Sequence, residues 1–125
     1  MQKAAILVLS DPASGSEEAL GRLVNALAAA WDFQQRGDEV TVLFHGAGTR
    51  WVGQLTDPKH PAHALYESVS GRVAGVSSGC AEVFGAAEEA ERNGFDLIKE
   101  NAAPGTPGLA SLAKLTAQGY SVLTF

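Results

Sequence analysis

Ala4-Ala5-Ile6-Leu7-Val8-Leu9, closed by Ser10-Asp11-Pro12, decides the fold. The run is apolar at every position and rich in branched side chains. A strand with one wet face alternates apolar and polar residues. A continuous run fits a strand covered on both faces, as in a parallel sheet. Ser10 to Ser16 is a turn-rich loop. Ser14 and Glu17 have capping-box spacing for a helix start. Leu20, Leu23, Val24, Leu27, Ala28 and Trp31 follow at steps of three and four, and Gly37 closes this amphipathic helix. Strand, turn and helix in this order make the first half of a βαβ unit.

The rest of the chain repeats the alternation. Glu39 to His45 reads as a strand ending in the loop His45-Gly46-Ala47-Gly48. Trp51, Val52 and Leu55 fit one helical turn, and Pro61 starts a helix through Ala64, Leu65 and Val69. Arg72 to Ser77 is a short strand. Ala81 to Arg92 reads as one helix with Val83, Phe84, Ala87 and Ala90 inward and Gly94 as its stop. Phe95 to Ile98 is a brief strand, and Asn101 to Gly108 a Pro/Gly loop. Leu109 to Ala117 is the last helix, and Tyr120 to Phe125 the last strand. Five strands alternating with helices predict a three-layer α/β/α domain over residues 1–125, built on a five-stranded parallel sheet with right-handed crossovers. A strand ending on the aromatic Phe125 points to cover from another subunit.

Composition narrows the function classes. The chain has 125 residues, 46% hydrophobic and 18% charged, which is enough for one packed core. The formal net charge is −5, without a basic block, which argues against nucleic acid and anionic membrane as partners. The N-terminal apolar run is too short for a signal peptide or a spanning helix. A cytoplasmic location follows as the expectation, with a reduced thiol. The single cysteine excludes an intramolecular disulfide and a Cys-based zinc site. Neither a Gly-x-x-x-x-Gly-Lys nor a Gly-x-Gly-x-x-Gly string occurs, so no cofactor is expected.

In an open parallel sheet, ligands bind beyond the carboxyl ends of the strands. That rule selects the loops Ser10–Ser16, His45–Arg50, Ser77–Cys80 and Lys99–Pro107. Cys80 falls after the third strand, at the first turn of the next helix. Free N–H groups and the positive end of the helix dipole stabilise a thiolate there. Ser77, Ser78 and Gly79 bring further donors close. The plain alternative is a buried, inert thiol. His45, at the end of strand two, is the candidate base for Cys80; the alternative is a histidine bonded to a loop carbonyl or held in a subunit contact. Ser10 and Asp11 begin a hydroxyl-rich loop leading into a helix, and Gly46 and Gly48 supply a flexible loop beside it. These make the candidate substrate-binding set with Ser77, Ser78 and Gly79. His60 and His63 have His-x-x-His spacing but no accompanying carboxylate motif, so they read as loop histidines and no metal is expected. Trp51 beside Arg50 reads as an exposed contact for a ligand or another subunit.

Taken in order, Ile6-Leu7-Val8-Leu9-Ser10-Asp11, Arg36-Gly37-Asp38-Glu39-Val40, Val42-Leu43-Phe44-His45-Gly46-Ala47-Gly48, Gly75-Val76-Ser77-Ser78-Gly79-Cys80-Ala81, Gly105-Thr106-Pro107-Gly108-Leu109 and Gly119-Tyr120-Ser121-Val122-Leu123-Thr124-Phe125 resemble the DsrE/DsrF-like family of small sulfur-relay proteins. The resemblance covers essentially the whole chain. It implies a three-layer α/β fold, a symmetric homo-oligomer and, as in some members, a cysteine that accepts persulfide sulfur. Cys80 stands where that cysteine is expected. A sulfurtransferase-type carrier of this kind works between sulfur donor and acceptor proteins. Two other readings fit the same sequence: a non-enzymatic module for an anionic or nucleotide-like ligand, and an accessory oligomer of the same fold.

Overall fold

A computed structural model describes residues 1–125. Five strands form, β1 (Lys3–Val8), β2 (Glu39–Phe44), β3 (Val73–Ser77), β4 (Leu97–Ile98) and β5 (Ser121–Thr124). The helices are α1 (Glu17–Gln35), α2 (His63–Val69), α3 (Ser78–Val83), α4 (Ala87–Arg92) and α5 (Leu112–Ala117). Short 3-10 helices occupy Pro12–Ser14, Gly46–Gly53 and Ser70–Arg72.

The sheet is parallel throughout, in the order β4-β3-β2-β1-β5. β1 lies near its centre, with Ile6 paired to Val42 on one side and to Leu123 on the other. This explains the unbroken apolar run: Ala4, Ile6 and Val8 pack on one face, Ala5 and Leu7 on the other, and all are buried. The crossovers from β1 to β4 all step the same way across the sheet. Their right-handedness puts α1 to α4 on one face. The last crossover runs back past the whole sheet to the far side of β1, so the same handedness puts α5 on the opposite face. This is the three-layer α/β/α architecture that the alternation predicts.

The two outer layers differ in weight. Ala4, Ile6, Val8, Val42, Phe44 and Val76 join α1, α2, α3 and α4 in a core cluster of 22 buried residues. Phe95 meets Phe44 edge-on, with ring centroids 6.1 Å apart. The second face is covered only by the segment after β4 and by α5, which has six residues.

Four sequence expectations change in detail. The α1 cap is Ser16, which accepts from Ala19 N–H at 3.0 Å; Ser14 instead bonds the Asp11 carbonyl. The predicted helix over 81–92 is two helices, because Gly85 turns left-handed at φ 71. Val83 then faces solvent, 77% exposed, rather than the core. The last helix starts at Leu112, because Leu109 pairs back to Asn101 in an antiparallel bridge. Trp51 is buried, not a surface contact, and its indole N–H donates to the Ser10 carbonyl at 2.9 Å. No helix is long and apolar enough to cross a membrane.

Candidate functional site

The site begins where β2 and β3 end side by side. Phe44, the last residue of β2, pairs with Val76, so His45 leaves the sheet beside Ser77, the last residue of β3. The backbone turns into α3 directly after Ser77. Cys80 is therefore the third residue of that helix, and its side chain is part-exposed. A first-turn position is what the sequence predicts for it.

The lid over this corner comes from the far end of the chain. Asn101 and Leu109 exchange two backbone bonds, Asn101 N–H to Leu109 O at 2.7 Å and Leu109 N–H to Asn101 O at 2.8 Å. The pinched loop is then tied to α3 and β3. Gly79 N–H donates to Gly108 O at 2.8 Å, and Ala110 N–H donates to Ser77 Oγ at 3.1 Å. Glycine at position 79 lets the loop come this close, since a Cβ there would stand 2.7 Å from Leu109 Cδ2 and 3.1 Å from Gly108 O. A cavity of about 380 Å³ remains beneath the segment, lined by His45, Ser77, Cys80, Asn101, Ser111 and the apolar run Leu109, Ala110, Leu112 and Ala113.

His45 and Cys80 thus share one cavity. Burial pushes the His45 imidazole below its ordinary pKa, which favours the neutral ring. Its Nε2 is buried without a hydrogen-bond partner, and so is Ser78 Oγ. Buried polar atoms are nearly always paired in folded proteins, which makes these two the exceptions at this corner. A neutral imidazole can take a proton from a thiol or return one to a leaving thiolate.

The remaining predicted site residues are placed elsewhere or already engaged. Gly79 gives its N–H to the return loop and Ser77 gives its oxygen to Ala110, so both build the cavity wall. Gly48 packs on the β1 end, where a Cβ would meet Val8 O at 2.2 Å. Gly46 begins the 3-10 helix after β2 with a left-handed φ of 53. Ser10 and Asp11 line a different space, with Ser14, Ser16 and Arg22 around it. Asp11 accepts Ala13 N–H at 2.9 Å, and Arg50 Nη1 reaches both of its carboxylate oxygens at 3.1 and 3.0 Å. The bond from Ala13 does most to lower the Asp11 pKa; desolvation opposes it and Arg50 adds to it. Arg50 also donates to Phe84 O at 3.1 Å, so it ties the first loop, the second loop and the α3–α4 corner together.

The histidine pair is structural as well. His63 Nδ1 lies 2.7 Å from Leu55 O, and His60 Nδ1 accepts Ala62 N–H at 3.1 Å. No group of three or more His, Cys, Asp or Glu side chains is placed to hold a metal ion. Sequence reasoning selected the loop Lys99–Pro107, which holds Asn101, but missed Leu109 and Leu112 as cavity residues. The only signal for them was the Pro/Gly loop after β4, which gives no hint of its pairing partner.

No curated protein and no solved structure matches the chain significantly. The family comparison is positive: the model of the DsrE/DsrF-like family matches residues 2–125, essentially the whole chain. With the parallel five-stranded sheet, its opposed helical layers and Cys80 at the end of β3 already in view, this match shows that the protein belongs to the DsrE/DsrF-like family.

Proposed function

We propose that the chain is an intracellular sulfur carrier that holds a persulfide on Cys80 and passes the outer sulfur to a thiol of a partner protein. Family membership supports a sulfur-relay-type role, and the cavity at Cys80 supports where it would act. The observation that carries the reading is one shared space: the only thiol of the chain opens, from a helix first turn, into a cavity that also holds a neutral imidazole.

The chemistry balances without an oxidant. The Cys80 thiolate attacks the outer sulfur of a donor persulfide. A new S–S bond forms at Cys80 and the donor's S–S bond breaks, releasing the donor thiolate. In the second step an acceptor thiolate attacks the outer sulfur, and Cys80 leaves as thiolate. His45 takes the Cys80 proton before the first step and protonates the departing thiolate after it. The wall of Leu109, Ala110 and Leu112 gives the persulfide an apolar side to lie against. The chain holds no second cysteine, so Cys80 persulfide cannot close to an internal disulfide and must be discharged on another molecule. The carrier works within a homo-oligomer, with donor and acceptor proteins as its partners.

The test is a cyanide-labile sulfur assay after incubation with a persulfide donor, followed by addition of an acceptor thiol. The wild type gains labile sulfur and loses it to the acceptor; Cys80→Ser gains none. Equal labile sulfur on both proteins would defeat the proposal. The competing reading, a binding module for an anionic or nucleotide-like ligand, draws on the hydroxyl-rich loop 10–16. Its Asp11 carboxylate and the bonds that Asp11 already makes count against an anion there.

A further inference from the structure

The thin second layer leaves a larger space than the one at Cys80. α5 packs mainly against β5 and does not reach the far half of the sheet. Between α5 and the strands β2, β3 and β4 lies a groove of about 490 Å³. Its floor is mainly apolar, from Leu43, Ala74 and Ile98 with Thr41 beside them, while the Leu97 side chain turns to the other face, onto the main core. Its wall is the α5 face carrying Lys114, Leu115 and Gln118. The volume lies within the usual range of small-molecule sites, ~300–1,000 Å³.

The charges at the groove are unlike those of the whole chain. Glu100 and Lys114 pair with each other across its rim and cancel. Lys99, also on the lining, makes no ion pair. One uncompensated ammonium thus stands beside an apolar floor in a chain of net charge −5.

We propose that this groove binds a small amphipathic carboxylate, with an apolar body on the Leu43–Ala74–Ile98 floor and its carboxylate on the Lys99 ammonium. Burial of the apolar body supplies most of the affinity. The half-exposed ion pair sets the preference for an anion. The groove adjoins the Cys80 cavity, sharing Ala110 and Ser111 with it, but Cys80 does not line it and is not required for binding.

Calorimetric titration of the full chain with decanoate tests this, with decyltrimethylammonium as the cation of matched chain length. The expected result is one decanoate per chain, with the cation bound at least roughly tenfold more weakly. Lys99→Glu weakens decanoate roughly fivefold or more. Ala74→Trp and Leu115→Trp, which fill the groove from floor and wall, each abolish binding in protein that still melts cooperatively. Cys80→Ser binds decanoate like the wild type, so failure of the sulfur reading would leave this result standing. No decanoate binding in the wild type overturns the proposal. Equal binding of the cation, or undiminished binding to Lys99→Glu and to both filled variants, overturns it as well. Light scattering showing that a second copy covers the groove, with decanoate excluded, has the same consequence.

Discussion

Gly79 is the residue on which the geometry at Cys80 turns. It sits one position before the thiol, its N–H holds Gly108 O, and its missing side chain makes room for Leu109. Its backbone needs no left-handed conformation, so the constraint is purely one of space. Gly79→Ala is therefore expected to lift the return loop, at a cost of about 1–3 kcal/mol for overpacking. Urea denaturation measures the loss, and faster alkylation of Cys80 by a bulky reagent reports the opened lid. Ser77 works beside it through a bond. Ser77→Ala leaves the Ala110 N–H buried without its acceptor, which costs about 1–3 kcal/mol. Amide hydrogen exchange then shows Ala110 deprotected, with β1 and β2 unchanged.

At the scale of elements, the two short helices α3 and α4 show how a single backbone angle overrides a side-chain pattern. Val83, Phe84, Ala87 and Ala90 satisfy helical spacing, yet Gly85 at φ 71 breaks the helix and turns Val83 out. Nothing stands within 4 Å of a Cβ at Gly85, so Gly85→Ala pays only the left-handed conformation, about 1–2 kcal/mol, measured by thermal unfolding. The contrast with Gly79, where space and not angle is decisive, separates two uses of glycine in one site. The strands were legible because each is a short branched run between turn residues, and β1 announced its burial on both faces. The address of Cys80 was legible for the same reason, since it follows β3 directly. The lid was not: Asn101–Leu109 and Gly79–Gly108 are pairings between distant segments, and nothing local in Pro104, Gly105 or Pro107 specifies a partner. Trp51 misled because Trp beside Arg is common at interfaces, whereas here the indole N–H finds a buried acceptor in Ser10.

At the scale of the whole molecule, the heavy layer of α1 to α4 carries the core, and the light layer of α5 and the return segment carries the cavities. Stability and the proposed chemistry meet at His45. Burial lowers its folded pKa below the ordinary 6.5, so the unfolded chain binds the proton more readily. Stability from this residue is complete above that ordinary value and is lost as pH falls through it toward the folded pKa. His45→Gln removes the titration, so the variant's stability between pH 7 and pH 5, followed by urea denaturation at each pH, falls less steeply than the wild type's. The same variant is expected to load sulfur more slowly while keeping Cys80 in place. Sulfur carriage rests on Cys80 alone, and intact-mass spectrometry after treatment with a persulfide donor reads it out. The expected result is one added sulfur atom per wild-type chain, removed by an acceptor thiol, and none on Cys80→Ser; an unmodified wild type, or an equal gain on Cys80→Ser, would contradict sulfur carriage on this thiol.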